Sequence, residues 1–354
     1  MSLRPVEVQA SKSLHAAIAP FRKPIMRRSV IQIVNTVVPL VASWVLAYVL
    51  WPISIAASLA CAVVLGLVSV RLFVLGHDAG HSAFFTSRKA NETFGFWAHA
   101  LVYTPFSLWR HGHALHHAHS ADVAWAGVGY FWTMTLQQYR QSPWWTRLGY
   151  RAYRHPIVLF GIGGFWLFAV QYRITPPGST WEMRRHVWGT NLLWAALVGG
   201  LCLLVDPWAV LAIQLTSAYV AMTLGLWLFY AQHHYEDAYW GQGAEWNYDR
   251  SAIEGSSYLD LPAWLHWVSA NIGYHHVHHI SPKVPNYRLA ECHAAVPQLA
   301  AVEPLTVRQA VRGMTLTLVD TDTLRLVGFD AVRQNEASPI VAPAVVAAPV
   351  PPVA

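Results

Sequence analysis

The chain has 354 residues, 55% hydrophobic and only 12% charged, with a mean hydropathy of +0.31 and a formal net charge of +6. Soluble domains usually carry about 25% charged residues, so the deficit points to a bilayer; the positive charge forms no basic stripe apart from the apolar segments, which argues for a membrane face and against nucleic acid. Three scattered cysteines, Cys61, Cys202 and Cys292, exclude a disulfide framework, a zinc ribbon and a Cys-ligated iron–sulfur cluster, so an electron-transfer centre of that last kind would sit on another protein.

Residues 1–29 are polar and basic up to Arg28, and the apolar run that follows is too long for the core of a cleavable signal. Residues 30–50 suffice for a span, which needs roughly 20 helical residues. Trp51-Pro52 breaks the run, and residues 54–76 form a second span, making a tight hairpin. Arg22, Lys23, Arg27 and Arg28 precede it while its turn carries no charge, so the positive-inside rule places both ends in the cytoplasm. A second hairpin follows at residues 187–205 and 208–231, broken by Asp206-Pro207, with Arg173, Arg184 and Arg185 ahead of it.

Two shorter apolar stretches, residues 93–108 and 156–170, reach only about 24 Å as helices, short of a hydrocarbon core about 30 Å thick. They read as interfacial or re-entrant. Arg71 is the exception in otherwise clean spans; it lies a turn or two from the cytoplasmic end, where it could snorkel. The polar residues 112–153 and 233–330 are expected to form a helical cytoplasmic cap. The predicted fold is therefore an all-α integral membrane protein: a domain over residues 30–330 with four transmembrane helices in two hairpins, then a Pro/Ala/Val-rich tail (331–354) expected to be disordered or polyproline-like.

Thirteen of the 19 histidines fall in four short windows: 77–81, 111–119, 233–234 and 275–279. His77 and His81 are spaced i, i+4. His113, His116 and His117 are spaced i, i+3, i+4, and so are His275, His278 and His279. Each set lies on one face of a helix. His77 begins where the second span ends and His233 follows the fourth, so all four windows meet the membrane boundary on the same side. Eight or nine converging imidazoles exceed the needs of one tetrahedral zinc and suit two metal ions with positions left open.

Other classes account for the pattern less well. "HDAGH" lacks the glutamate of the HExxH zinc-protease motif. A surface pH sensor has no need of three sets at matched helical spacing. Bis-His haem coordination uses single histidines at depth on facing spans. A metal transporter binds its cargo near the midplane, with ionisable groups inside the spans.

"GHDAGH", "HALHH" and "HHVHH" match the pattern HxxxH, HxxHH, HxxHH of the three histidine boxes of membrane fatty acid desaturases. The surrounding text, including "WLFYAQHHYEDAYW", "GSSYLDLPAWLHW" and "NIGYHHVHHISPKVPNYRL", resembles bacterial acyl-lipid Δ12 (omega-6) desaturases over residues 21–303. The resemblance implies a non-haem di-iron site, molecular oxygen as co-substrate and an external donor such as a ferredoxin or cytochrome b5-like protein. It implies a fatty acyl substrate carried on a lipid, coenzyme A or acyl carrier protein, and a bacterial inner-membrane location with the site facing the cytoplasm. Its ligands map onto His77, His81, His113, His116, His117, His275, His278 and His279, with His233 as the additional histidine after the last span.

Retention of His275, absence of a fused cytochrome b5 HPGG signature and the HxxxH form of the first box all favour the methyl-end group. A hydroxylase, acetylenase or carotenoid ketolase would use the same boxes, and a metal sensor or transporter is the remote alternative. Asp78, Glu236, Asp237 and Asn271 are candidates for accepting the free N–H of ligand imidazoles, with a solvated acidic pair as the alternative for Glu236 and Asp237. His111, His119 and His276 lie beside the boxes without matching them. His99, His155, His186, His266 and His293 are expected to be structural.

Overall fold

The computed structural model describes residues 12–334 except Val128 and Tyr130. A short helix, α1 (Lys12–Ile18), precedes four long apolar helices: α2 (Met26–Leu50), α3 (Ile55–Gly80), α9 (Trp181–Leu204) and α10 (Pro207–Ala231). Between the hairpins lie α4 (Arg88–Ala100), α5 (Phe106–His119), α6 (Leu136–Gln141), α7 (Trp144–Arg154) and α8 (Gly164–Ala169). After α10 come α11 (Tyr248–Glu254), α12 (Ala263–Val268), α13 (His275–Ile280) and α14 (Asn286–Ala295). The long helices are the four transmembrane helices of an all-α membrane protein. Their starts are set by side chains that take up unpaired backbone N–H groups: Ser54 accepts from Ala57, Thr180 from Met183, and Asp206 from Trp208.

The spans extend further than the apolar runs. The helix of the second continues four residues beyond the expected end, to Gly80, so His77 lies on its last turn, past the apolar run. The third begins at Trp181 rather than at 187, taking in Arg184 and Arg185 but not Arg173. Residues 93–108 are not one helix. Leu101–Pro105 breaks them, with Tyr103 at φ +62°, and turns α5 back toward the end of α3. The stretch at 157–173 is a π-helical turn, Ile157–Gly163, followed by α8, and is bent 68° from α7. Since α7 holds Arg147, Arg151 and Arg154 within eleven residues, it is no span. Its exposed Trp144, Trp145 and Leu148 nevertheless set it apart from the polar cap expected there.

α3 is the central helix, packed against α2, α4 and α10. A Cβ on Gly66 would lie 2.6 Å from the Ser217 carbonyl oxygen and 2.7 Å from Val220 Cβ, so only glycine permits this approach of α3 to α10. Arg71 does not snorkel. It is buried, its Nε donates to Thr36 Oγ1 (2.9 Å), and its other nitrogens reach Gln32, Asn35 and the Trp267 carbonyl, with the guanidinium 4.6 Å from the Trp267 ring. The cation therefore ties α2 and α3 to α12 of the cap, its charge spread over neutral acceptors.

The cap is mostly helical but also contains strands too short to read from alternation. β1 (Met134–Thr135) pairs in parallel with β4 (Leu318–Asp320), which pairs antiparallel with β5 (Arg325–Val327); β2 (Tyr258–Asp260) runs parallel to β3 (Pro304–Thr306). α1 buries Leu14 and Ile18 in the same apolar cluster of the cap that holds Val277 and Ile280 of α13. Ala331–Gln334 is helical and buries Val332 in the cap, so the expected tail begins later than 331; the remainder, from 335, lies outside the described residues, as do residues 1–11.

Gly66→Val should force α3 from α10 at the cost of overpacking, about 1–3 kcal/mol. A lowered midpoint of thermal unfolding in detergent is the expected result; an unchanged midpoint would show that the two helices do not depend on this contact.

Candidate metal centre

The last turn of α3 presents His77, and His81 caps the helix with its backbone N–H on the His77 carbonyl (3.2 Å). α5 presents His113, His116 and His117 from its C-terminal half, and α13 presents His275, His278 and His279. The turn after α10 places His233, and Gln232 fixes that turn by donating to the Ile272 carbonyl (3.0 Å). These nine side chains gather into two adjoining groups. His77, His81, His113, His117 and His278 form one; His116, His233, His275 and His279 form the other. Within each group the ligand atoms lie within 4.8 Å of one another.

The Nε2 atoms converge closely. In the first group His81–His113, His113–His117 and His117–His278 are 3.0, 3.1 and 2.9 Å apart. In the second, His116–His233, His116–His279 and His233–His275 are 3.1, 3.2 and 2.9 Å apart. Hydrogen bonding alone cannot satisfy this arrangement, because each neutral ring nitrogen is either one donor or one acceptor, and His113, His116, His117 and His233 each face two others. Metal–imidazole bonds of about 2.1 Å held at right angles would put neighbouring nitrogens roughly 3.0 Å apart. The donor set fits that arrangement, with an all-nitrogen character suited to iron, zinc, copper or nickel.

Burial disfavours the protonated form of eight of these nine rings. It pushes His81, His113, His116, His117, His275, His278 and His279 well below the usual 6.5, and neighbouring imidazoles push the same way. Burial lowers His233 to about 3, opposed by the Gly255 carbonyl, which accepts from its Nδ1 (3.0 Å). That bond leaves Nε2 of His233 aimed into the group. Asp78 sits against His77, its Oδ1 3.4 Å from Nδ1, while its Oδ2 accepts from the backbone and side-chain nitrogens of Asn286 (2.6 and 2.9 Å). Trp109 stacks on His113 at 4.7 Å.

The other three candidate acceptors are elsewhere engaged. Glu236 is exposed, and Asp237, at φ +69°, turns away to pair with Arg325. Asn271 is a turn residue at φ +62°, its backbone N–H on the His266 carbonyl (2.9 Å). The Gly255 carbonyl takes the part expected of them; a backbone acceptor leaves no mark in a sequence. His234 stacks on Tyr230 and lies outside both groups. His276 pairs with His293 (3.0 Å), His119 stacks on Trp125, and His111 is exposed. His99, His186 and His266 serve the fold: His99 meets the Gly95 carbonyl, His186 accepts from Ser107 N–H, and His266 accepts from Leu261 N–H.

One long cavity of about 920 Å³ reaches the first group and His275. It runs along the packed pair α3 and α10, lined on α3 by His77, Val74, Val70 and Leu65, on α10 by Phe229, Met222, Ser217 and Gln214, and elsewhere by Tyr103, Trp109, Trp166, Tyr172 and Trp194. The spacing is helical on both sides. Its shape suits a single extended apolar chain brought to the histidines from within the membrane.

Metal-free protein should lose stability in acid. The unfolded chain protonates its histidines near 6.5, whereas folded His233 resists until about 3, so between these values unfolding takes up protons. The contribution is complete above 6.5 and is lost as pH falls, by up to ~1.4 kcal/mol per pH unit for each such histidine. Thermal unfolding of chelator-treated protein from about pH 7.5 to 5 should show a falling midpoint; a flat profile would contradict the neutral, buried state.

The family described as fatty acid desaturase matches residues 53–310. A fatty acid desaturase of Bacillus subtilis (strain 168) is 35% identical over 322 residues, covering 91% of this chain and 92% of that protein. A chloroplastic omega-3 fatty acid desaturase of Glycine max is 28% identical over 277 residues, 71% of this chain and 55% of that longer protein. The sn-1 oleoyl-lipid 12-desaturase of Synechocystis sp. is 25% identical over 236 residues, 64% of each. Four membrane helices, histidine groups able to hold metal and an apolar cavity leading to them accord with these matches: the chain belongs to the fatty acid desaturase family, and is an oxidoreductase acting on acyl chains.

Proposed function

We propose that the nine histidines of the two groups hold two iron ions and that the enzyme introduces a cis double bond into an acyl chain lying in the cavity along α3 and α10. The convergence of nine histidine ring nitrogens in two adjoining groups, with His77, His113 and His275 lining the cavity, carries the reading. When bound, the iron pair supplies the oxidising power to remove hydrogen from two adjacent methylenes, drawing on molecular oxygen and electrons from an outside donor. The chain's own residues do the rest. Asp78 and the Gly255 carbonyl meet Nδ1 of His77 and His233 and so fix how these rings are oriented within their groups. The apolar walls keep water from the reacting carbons and fix their position.

A ferredoxin or cytochrome b5-like protein is the proposed donor, since relatives are named as ferredoxin-dependent acyl-lipid desaturases. The basic segments flanking the hairpins support a bacterial inner-membrane protein with this site on the cytoplasmic side. An acyl-lipid substrate suits a cavity whose flank includes the exposed apolar Ile162 and Trp166.

The box pattern, with His275 retained, and relatives named 12- and omega-3 desaturases support a methyl-end, Δ12-type position. The depth of the cavity favours a second reading. From His77 to Leu65 is twelve residues of α3, roughly 18 Å. At about 1.2 Å per bond, the reach of an extended chain, that length admits on the order of fifteen carbons. An omega-6 product needs six beyond the reaction point, so the depth suits a double bond closer to the head group.

Expression in a host of defined saturated lipids, with mass analysis of the fatty acids, tests the reaction and decides the position. A new cis alkene is expected; a hydroxy acid or an alkyne would assign the sister chemistries. Purified protein carrying one zinc and no iron would overturn the di-iron proposal. His278→Ala should abolish activity while the protein still inserts in membranes, and retained activity would refute the ligand assignment. Asp78→Asn should weaken iron retention by roughly 10–100-fold, measured by metal loss to a chelator; unchanged retention would remove Asp78 from the site.

A further inference from the structure

The cavity ends, deep in the membrane, on a polar bridge that the metal chemistry leaves unused. Gln214 of α10 lies at the last cavity-lining position of its helix, 8% exposed, as Leu65 does on α3. Its Nε2 donates to the Tyr48 hydroxyl of α2 (2.9 Å), and its Oε1 accepts from the Tyr103 hydroxyl (3.1 Å). Tyr103 is itself held firmly. Its ring stacks on Trp194 at 3.8 Å, its carbonyl accepts from Arg173, and its backbone sits at φ +62° in the break between α4 and α5. Trp194 is fixed in turn by donating to the Ala100 carbonyl (2.7 Å). Below this bridge the helices close on a packed cluster that includes Ala47, Ala62, Ala209 and Ile213.

Polar side chains within a span are costly and call for a reason. A bridge between two tyrosines on separate elements closes the space between α2, α10 and the α4–α5 turn, with every polar atom of the amide's two ends paired. Apolar side chains alone could fill this space, but they would yield more readily to an advancing chain than a side chain tethered at both ends. We propose that Gln214, braced by Tyr48 and Tyr103, is the floor on which the methyl end of the acyl chain stops, and that it thereby limits the length of chain the enzyme accepts. The inference rests on the proposal that the acyl chain occupies this cavity, and it holds for either position of the double bond.

The test uses the purified full-length protein and saturated fatty acids lengthened one carbon at a time, with binding read by displacement of a fluorescent fatty acid. In the wild type, affinity should rise roughly fourfold per added carbon, the value of one buried methylene, and then break off once the chain reaches the floor. Gln214→Ala should move the break one or two carbons longer. Ser217→Leu, one turn nearer the histidines on the same wall, should move it shorter. Gln214→Leu, which keeps the bulk without the hydrogen bonds, should leave the break near its place but make it less abrupt. A break unmoved in both Gln214→Ala and Ser217→Leu, in protein that unfolds at the wild-type temperature, would overturn the floor. Conversion by iron-loaded protein is followed on the same series. Binding that breaks as described without any double bond formed would fault the catalytic reading and still support the floor.

Discussion

Nine imidazoles in contact are compatible with a folded protein only if nearly all of them are neutral. Nitrogens 2.9–3.2 Å apart cannot share protons freely: two cationic rings at that distance would repel strongly in a medium that screens poorly. Burial resolves much of the conflict by disfavouring the protonated form of eight of the nine rings, and it brings the ring nitrogens of each group to separations that a shared cation would suit. Much of the fold can be understood as what keeps most of this region from water, with His81 and His113 only partly buried at its edge.

That requirement explains the placement of the spans. A histidine box built wholly inside the bilayer would have no route for an outside electron donor, and one built wholly in the cap would have no access to an acyl chain. Extending α3 past its apolar run, and ending α10 two residues before His233, sets the box at the boundary. Arg71 then has a structural part. Its hydrogen bonds to α2 and to the Trp267 carbonyl fasten α12, and with it the segment leading to α13, onto the hairpin that carries His77.

Helical spacing made the three boxes legible, because i, i+3 and i+4 place rings on one face whatever surrounds them. The long apolar runs marked the four spans for an equally local reason. What escaped the sequence depends on distant partners. Glu236 and Asp237 stand beside His233 in the chain, but the left-handed turn at Asp237 sends that carboxylate to Arg325, and the ring is met instead by a carbonyl twenty-two residues on. The break at Leu101–Pro105 hid inside an apolar stretch that looked continuous. Strands of two or three residues are too short for alternation to declare them. Arg71 read as a cation that should reach for water, since its neutral acceptors, Thr36 and Asn35, lie on another helix.

The cavity between the two ends has its own logic. Its middle is apolar and shaped by side chains at helical intervals, which gives binding energy per carbon but no register: a methylene chain can slide along such a wall at little cost. Desaturation at a defined position needs register, and register can come only from the ends. One end is the histidine groups with the head group beyond them; the other is the bridge of Tyr48, Gln214 and Tyr103. A chain too short to touch the floor would be placed by its head group alone, and a chain long enough would be placed by both. On the proposed reading, regiochemistry follows from the distance between the histidine groups and this bridge, roughly 18 Å measured along the neighbouring turns of α3, a length that the spacing of histidines within each box does not contain.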